Sequence, residues 1–462
     1  MKLGLLWRRL PPIAALALLG TFCGLYSLDR AAYYEILEWV GIVPFRYPFL
    51  DSEYILAGVE CWHRGIDVYA NNPCDVLGRP HGYSPLWLRA SFLPTSKAWT
   101  DAIGLPLAIT FILSLFLLPE PRRRRDAVLL TLATVSTMTS FAVERGNVDL
   151  IMFLAAMLAA LWHAGRLPVP RLGYLPVMAA GLLKFYPLVL LILSFSEKPR
   201  RWLAINAIAG TIVLIFGWWY WPELVKMAPN IPHAVYFGDL FGAANLPYGI
   251  GQLLVSPTSP SASVAAAARY LPRTLLLLLV IDSARRAIKL STIGAFQVSL
   301  AGLSPWNATL LVIGSALICG CFFAGQSVGY RGVHLLFVAP TLLVLAQDAK
   351  DDAWRRRWRH AVFMIVFLMW GEGIRRIFAM ATEGLGASET ADMLARMLFW
   401  LFRELVWWRV VTLLGAVLLR FVRSSETGRA IARMTLSLSG RSSGGKLMPG
   451  AASPNNPSLP GS

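Results

Sequence analysis

Several carboxylates and cations in this chain are set among long apolar segments, where ionisable groups are expensive. Asp51 and Glu53 lie in the stretch FRYPFLDSEY, just beyond the first apolar run. A carboxylate can take a proton from a weak nucleophile such as a hydroxyl group, and arginine or lysine can stabilise a phosphate. Further candidates lie near the ends of later apolar runs: Glu144, Arg145, Asn147, Asp149, Lys184, Tyr186, Asn245, Gln326, Tyr330, Arg331 and His334.

Each of these residues also has a structural interpretation. Asp51 could be a solvated loop charge, and Asn147 could cap the helix that follows it. Lys184 could extend to lipid headgroups, and Asn245 could serve a turn in its glycine-rich loop. His334 could be a packed histidine. What favours function is the combination, because acids and bases from at least five segments are predicted to share one face of the protein.

The composition indicates a polytopic α-helical membrane protein. The chain has 462 residues, of which 56% are hydrophobic and only 15% charged, with a mean hydropathy of +0.55. Solid apolar runs argue against a β-barrel, whose strands alternate apolar and polar residues. At about 20 residues per crossing, the length suggests ten to twelve transmembrane helices in an all-α bundle.

The net charge of +17 does not indicate a nucleic-acid partner. Lysines and arginines cluster at the ends of apolar spans, as the positive-inside rule requires, and not along one polar face. The run Arg122–Arg125 marks the cytoplasmic side. We therefore predict a membrane domain at residues 1–423, extracytoplasmic loops at 29–100 and 221–270, and a disordered cytoplasmic tail at 424–462.

Two segments need special treatment in this topology. A single crossing over residues 172–196 would put the basic residues after it on the outer side. We predict two short helices instead, broken at the KFYP sequence, because proline disfavours a helical residue before it. A short span is predicted at residues 274–282, followed by an interfacial segment at residues 291–305.

The order of short motifs resembles a known family. A post-anchor aspartate, Asp51, is followed by DVY, YSPLW, ERGNVD and LLKFYP. This order is similar to that of the GT-C membrane glycosyltransferases, in particular the polyprenol-phosphate-mannose-dependent α-1,2-mannosyltransferase group (glycosyltransferase family 87). The resemblance covers about residues 10–350, and no motif of the family is matched beyond that point.

The resemblance implies a catalytic aspartate in the first outer loop, which falls on Asp51, with Glu53 as a secondary candidate. It implies inverting transfer of a hexose, by analogy mannose, from a polyprenyl-phosphate donor. The acceptor would be a glycolipid or glycan on the extracytoplasmic face of a bacterial inner (plasma) membrane. Arg145, Lys184 and Arg331 are the predicted ligands of the donor phosphate.

Aromatic residues in the same motifs could stack on sugar rings or line a lipid groove, or could form an interfacial belt. They are Tyr54, Tyr69, Tyr83, Trp87 and Tyr186. No DxD pair occurs in an outer loop and no His/Cys cluster is apparent, so neither a metal nor another cofactor is predicted. Cys61 and Cys74 share the first outer loop, and the sequence leaves open whether they form a disulfide.

Two rival functions remain open. One is another GT-C activity, such as arabinosyl or aminoarabinose transfer, or polymerisation of an oligosaccharide. The other is a transporter or flippase for a lipid or sugar, since transporters also use broken helices. The chain shows no internal repeat, and its polar candidates gather at span ends beneath two long loops, which favours the enzyme.

Overall fold

A computed structural model describes residues 3–45, 47–89, 95–231, 240–254, 262–386 and 388–442. Within these ranges the chain is almost entirely helical. The α-helices are α1 (Leu10–Leu28), α2 (Arg30–Trp39), α3 (Leu50–His63), α4 (Pro85–Leu88), α5 (Thr100–Ser114), α6 (Arg124–Thr134), α7 (Thr137–Glu144), α8 (Val148–His163), α9 (Tyr174–Lys184), α10 (Pro199–Trp219), α11 (Trp221–Met227), α12 (Asn245–Leu254), α13 (Ala262–Thr292), α14 (Gly294–Ala301), α15 (Pro305–Ala324), α16 (Leu335–Asp348), α17 (Asp352–Met369), α18 (Gly371–Gly384), α19 (Glu389–Ser424) and α20 (Glu426–Ser442).

Shorter elements connect these helices. The 3-10 helices are Leu3–Arg9, Lys97–Trp99, Leu115–Leu117, Pro170–Gly173, Tyr186–Ser196, Ala228–Asn230 and Gly329–His334. Two strands, β1 (Leu240–Phe241) and β2 (Ser327–Val328), form a short antiparallel pair with Leu240 opposite Val328.

Within the described ranges, six helices are long and apolar enough to cross a membrane. They are Leu6–Leu28, Lys97–Leu117, Pro199–Trp219, Pro305–Ala324, Gly329–Asp348 and Glu389–Ser424. The pair α6 and α7, bent by 43°, could form one more span. This pattern is that of an all-α integral membrane protein. A total of ten to twelve crossings would require shorter apolar helices, such as α8, to cross as well.

Burial separates central helices from peripheral ones. The candidate spans at Pro305–Ala324 and Gly329–Asp348 are 72% and 89% buried over their most apolar windows. The span of α10 is only 6% buried, and it exposes Leu214 and Trp218. Apolar side chains exposed over a whole helix suit a lipid solvent and not water.

The helical segment is interrupted at KFYP, as predicted from the proline in this motif. Helix α9 ends at Lys184, and Phe185 follows with a positive φ of 60°. Pro187 then lies in the first turn of a 3-10 helix, a position that proline tolerates. The break orients Lys184 and Tyr186 toward the same cluster of side chains described below.

Three sequence predictions need correction. Helix α13 runs without a break from Ala262 to Thr292, so the predicted short span at 274–282 is part of a longer helix that contains Pro272. Residues 221–270, predicted as one loop, include helices in their described parts. The tail predicted to be disordered begins with helix α20, while residues 443–462 lie outside the described ranges.

The two ends of the bundle differ in chemistry. At one end Arg122 pairs with Asp348 at 2.6 Å, among the basic residues that precede α6. Helices α6 and α7 lead from this end to Glu144, over about 30 Å if straight. The turn after Glu144 therefore lies near the opposite end, and it is there that the predicted polar residues meet.

Candidate active site

The turn between α7 and α8 supports the start of α3. Three hydrogen bonds join the two segments: Phe49 N to Glu144 O (2.6 Å), Asp51 N to Arg145 O (2.9 Å) and Ser52 Oγ to Gly146 O (2.7 Å). Gly146 has a φ of +55°, which suits glycine. The carboxylate of Asp51 is thereby fixed in the first turn of α3.

The carboxylate of Asp51 is held by two side chains from different parts of the chain. Asn147 donates a hydrogen bond from Nδ2 to Asp51 Oδ2 at 2.5 Å. Nη1 of Arg79 lies 3.6 Å from Asp51 Oδ1. The Asp51 side chain is 14% exposed, so it is oriented by protein groups and still accessible.

Asp149 is the centre of an adjoining buried cluster. Its Oδ1 accepts hydrogen bonds from Lys184 Nζ at 2.8 Å and from the Tyr186 hydroxyl at 2.7 Å. Nε of Arg331 lies 3.9 Å from Asp149 Oδ2. The Tyr186 hydroxyl is also 2.7 Å from Nε2 of His334, which is fully buried. Five of the residues predicted from sequence thus meet at one point.

This cluster carries a net positive charge. Asp149 is one carboxylate facing two cations, Lys184 and Arg331. The Arg331 side chain is 19% exposed, and its Nε has no hydrogen-bond partner among the described residues. Lys184 lies over the ring of Tyr83 at 5.4 Å. The cluster could stabilise an anion next to Asp51.

Arg145, predicted as a ligand of the donor phosphate, makes its contacts within the turn and with the segment before α3. Its Nε lies 3.2 Å from Glu144 Oε2, and its Nη2 donates to Val43 O at 2.8 Å. The guanidinium lies 3.8 Å from the centre of the Phe45 ring. The hydroxyl of Tyr33 donates to Glu144 Oε1 at 3.2 Å. Glu144 and Arg145 are both buried, and these contacts favour a role in bracing the turn.

Arg79 is a functional candidate that the sequence analysis missed. Its Nε and Nη2 donate to the two carboxylate oxygens of Asp75 at 3.0 and 2.8 Å, and its guanidinium lies 4.4 Å from the centre of the Tyr54 ring. The spacing of four residues between the two opposite charges is a signal that could have identified the pair. Arg79 connects Asp75 to Asp51.

Glu53 is more deeply buried than Asp51 and has a different environment. It is 1% exposed, and no N–H or hydroxyl donor of the described residues bonds its carboxylate oxygens, which face the carboxylate of Asp75. Burial, the nearby charge of Asp75 and the hydrogen bond that a proton on Glu53 makes with Asp75 together raise the pKa of Glu53 to about 7. Burial also acts on Asp75, but the hydrogen bonds and charge of Arg79 hold the pKa of Asp75 below its ordinary value. A buried group with this pKa is a weaker candidate for contact with substrate than Asp51.

The predicted aromatic residues separate into two groups. Tyr54 contacts Tyr83 at 5.6 Å between ring centres, close to Lys184 and Arg79. Tyr69 contacts Trp62, and the ring of His81 contacts both groups, at 5.9 Å from Tyr54 and 5.6 Å from Tyr69. Trp87, also predicted from its motif, donates from Nε1 to Leu183 O at 3.1 Å and so fixes α4 against α9.

Asn245 and Gln326 form a separate contact. Gln326 Nε2 donates to Asn245 Oδ1 at 2.9 Å, beside the β1–β2 pair. Arg403, whose Nη2 donates to Leu240 O at 3.4 Å, links this region to a buried pair with Glu372. No hydrogen bond within the described ranges joins Asn245 or Gln326 to the Asp149 cluster, and both could serve packing of the bundle.

Cys61 and Cys74 are joined by a disulfide in the structure, with their Cα atoms 5.8 Å apart. The bond ties the C-terminal part of α3 to the loop that supplies Asp75. Asp51 and Cys61 lie on the same helix, and Asp75 follows Cys74 directly. The disulfide therefore holds the loop that contains Arg79 beside α3, by a bond near the C-terminal end of that helix.

No protein-family model, curated protein or solved structure matches this chain. In the part of the chain that the structure describes, no three His, Cys, Asp or Glu side chains group as metal ligands. The chemistry of the site must therefore be inferred from its own residues.

Proposed function

We propose that this protein is an integral-membrane glycosyltransferase that moves a hexose from a polyprenyl-phosphate donor to a hydroxyl group of a glycolipid or glycan. The observation that carries the proposal is the position of Asp51, an accessible carboxylate held beside a buried cluster with net positive charge. Transfer from a lipid phosphate needs this combination, because a proton must leave the nucleophile while negative charge develops on the leaving group.

The residues fit the reaction in the following roles. The acceptor hydroxyl attacks the anomeric carbon, and Asp51 takes the hydroxyl proton. The bond between the anomeric carbon and the phosphate oxygen breaks, and that oxygen keeps the electron pair. Arg331 and Lys184 would stabilise the negative charge of the polyprenyl phosphate. Attack from the face opposite to the leaving group inverts the configuration at the anomeric carbon.

The distribution of charge supports one orientation of the protein in the membrane. The pair Arg122–Asp348 and the basic residues near it mark the end of the bundle that the positive-inside rule assigns to the cytoplasm. Asp51 and Arg331 lie toward the other end. This charge distribution supports the proposal that the reaction takes place on the extracytoplasmic side. The motif resemblance is the reason for proposing a bacterial inner membrane and for testing mannose as the first sugar.

The proposal can be tested with purified protein in lipid nanodiscs, using polyprenyl-phosphate mannose with a labelled sugar and a lipid extract as acceptor. We expect transfer by the wild type and a loss of about 100-fold or more in Asp51→Asn, since general bases contribute at least this factor. Asp101→Asn changes an exposed aspartate and should be active. Near-normal turnover of folded Asp51→Asn would exclude this role. Arabinosyl donors in parallel test the nearest rival activity.

A further inference from the structure

A cavity of about 330 Å³ lies at the end of α3 away from Asp51. Two separate segments form its walls. Trp62, Asp67 and Tyr69 come from the first loop, and Glu223 and Lys226 come from α11. Its volume is within the range of small-molecule sites, which begins near 300 Å³. None of these residues takes part in the reaction proposed above.

The walls of this cavity are held in place. The disulfide at Cys61 precedes Trp62 directly. Asn230, just after α11, donates from Nδ2 to Tyr69 O at 2.8 Å and to His81 O at 3.2 Å. The side chain of Asn230 therefore ties the segment that contains α11 to the backbone of the first loop. Because both walls are fixed in this way, binding would require little rearrangement.

The charges around the cavity are balanced. Asp67 Oδ2 accepts from Lys226 Nζ at 2.7 Å, and Glu223 Oε1 accepts from Arg89 Nη2 at 2.7 Å. Each carboxylate thus has its own cation. A neutral ligand with many hydroxyl groups suits such a lining better than a phosphate or another ion, because these side chains offer both donors and acceptors without net charge.

Tyr69 provides a further observation that points to a ligand. Its side chain lines the cavity and is 4% exposed, and its hydroxyl has no hydrogen-bond partner among the described residues. An unpaired buried hydroxyl costs free energy that a ligand hydroxyl could recover. The ring of Trp62 meets that of Tyr69 edge to face at 6.1 Å, and both give apolar surface.

We propose that this cavity binds a hexose unit of a glycan acceptor. A hexose has an apolar face of C–H groups for Trp62 and a rim of hydroxyls for Tyr69, Asp67 and Lys226. Trp62 lies eleven residues after Asp51 on the same helix, which corresponds to about 16 Å. The bound unit is therefore not the reacting sugar but a more distant one, and this role rests on the proposed transferase activity.

The experiment measures binding of soluble α-linked mannotriose and maltotriose to the detergent-solubilised full chain by saturation-transfer NMR and calorimetry. We expect the wild type to bind at least one trisaccharide. Trp62→Ala should weaken that binding by about tenfold or more, and Tyr69→Phe, which removes only the hydroxyl, by about fivefold. Trp39→Ala, at an exposed tryptophan of α2 outside the cavity, is the control and should bind normally.

The Asp51→Asn variant separates this inference from the proposed function. It should bind the trisaccharide like the wild type while its transfer activity is lost. If Trp62→Ala and Tyr69→Phe keep their melting temperatures and bind the trisaccharide normally, or if the wild type binds neither trisaccharide, the cavity is not a glycan site. If binding responds as expected but no prenyl-phosphate sugar is consumed, the glycan site stands and the transferase proposal fails.

Discussion

Asn147 connects the two aspartates of the site through its side-chain amide. Its Nδ2 donates to Asp51 Oδ2 at 2.5 Å, although the residues are 96 positions apart, and its Oδ1 accepts from the backbone N–H of Asp149 at 2.8 Å. Asn147 is also the N-cap of α8. One side chain thus fixes both the proposed base and the start of the helix that carries the centre of the cationic cluster.

Replacement of Asn147 by alanine should therefore lower turnover more than donor binding. We expect kcat to fall by about tenfold to 100-fold, because Asp51 loses its orienting donor, and stability to fall by about 1 kcal/mol through loss of the cap. Initial rates over a range of donor concentrations, with melting temperatures, check both effects. Asn71→Ala, at an exposed position of the loop between α3 and α4, is the control. A rise in donor KM with unchanged kcat would contradict the orienting role.

Substitution of Arg331 should affect donor binding, whereas substitution of Arg145 should affect stability. Arg331→Gln should raise the KM for donor by about tenfold or more, since a hydrogen-bonded charge is worth about 1.5–3 kcal/mol, and Arg331→Lys should recover part of it. Arg145→Gln leaves the buried Glu144 without its charged partner, with only the Tyr33 hydroxyl of the described residues bound to it, and should instead cost about 3 kcal/mol of stability. Donor titrations and thermal unfolding separate the two. If Arg145→Gln changes donor KM as much as Arg331→Gln does, the original prediction for Arg145 would regain support.

The sequence indicated much of the site because its residues mark local backbone events. The sequence predicts that Asn147 caps a helix, and it does; the proline of KFYP predicts the break at Phe185. Such signals operate over four or five residues. They place Lys184, Asn147 and Asp149 at helix ends, where side chains of separate segments can meet.

Other features depend on contacts that no local pattern contains. Arg79 lies in an irregular loop, and its approach to Asp51 depends on the disulfide and on Asp75. Helix α13 continues through Pro272, which the sequence treats as near a boundary, and α12 packs against that proline at Gly251. The approach of Arg79 is a long-range contact with no local signal, and in α13 tertiary packing overrides the preference of proline for a helix boundary.

Glu53 predicts a specific pH dependence of stability. Its pKa is raised from 4.5 to about 7, so the folded state binds the Glu53 proton more tightly than the unfolded state does. The contribution of Glu53 to the free energy of unfolding is fully present below pH 4.5 and is lost as the pH rises through about 7. Glu53→Gln resembles the protonated form and should be more stable than the wild type at pH 8, by about 2 kcal/mol, but not at pH 4.5. Melting temperatures at both pH values test this, and an equal difference at both would contradict it.

The disulfide should contribute to both stability and the position of Arg79. Cys61 and Cys74 are 13 positions apart, and closing a loop of this size is worth about 3 kcal/mol in the chain-entropy model. Cys61→Ser/Cys74→Ser should therefore unfold at lower temperature and turn over more slowly. Cys23→Ser, at an exposed free cysteine, is the control. Mass spectrometry that found both thiols free in native protein would exclude the bond.

Gly146 should be the residue of the turn least able to accept a side chain. It has a φ of +55°, and an added Cβ would lie 2.5 Å from Ser52 Oγ, whose hydrogen bond to Gly146 O holds α3 against the turn. Gly146→Ala should lose about 1–3 kcal/mol of stability through backbone strain, and in addition most of its transfer activity, because Asp51 and Asn147 move apart.

Gly165→Ala is a matched control for this substitution. Gly165 has a similar φ of +70°, but nothing lies within 4 Å of the Cβ that alanine would add. It should therefore show the cost of the backbone strain without loss of activity. Thermal unfolding and initial rates of the two purified variants make the comparison. Equal activity in both would mean that the contact between the turn and α3 does not set the position of Asp51, since strain alone would then account for every change.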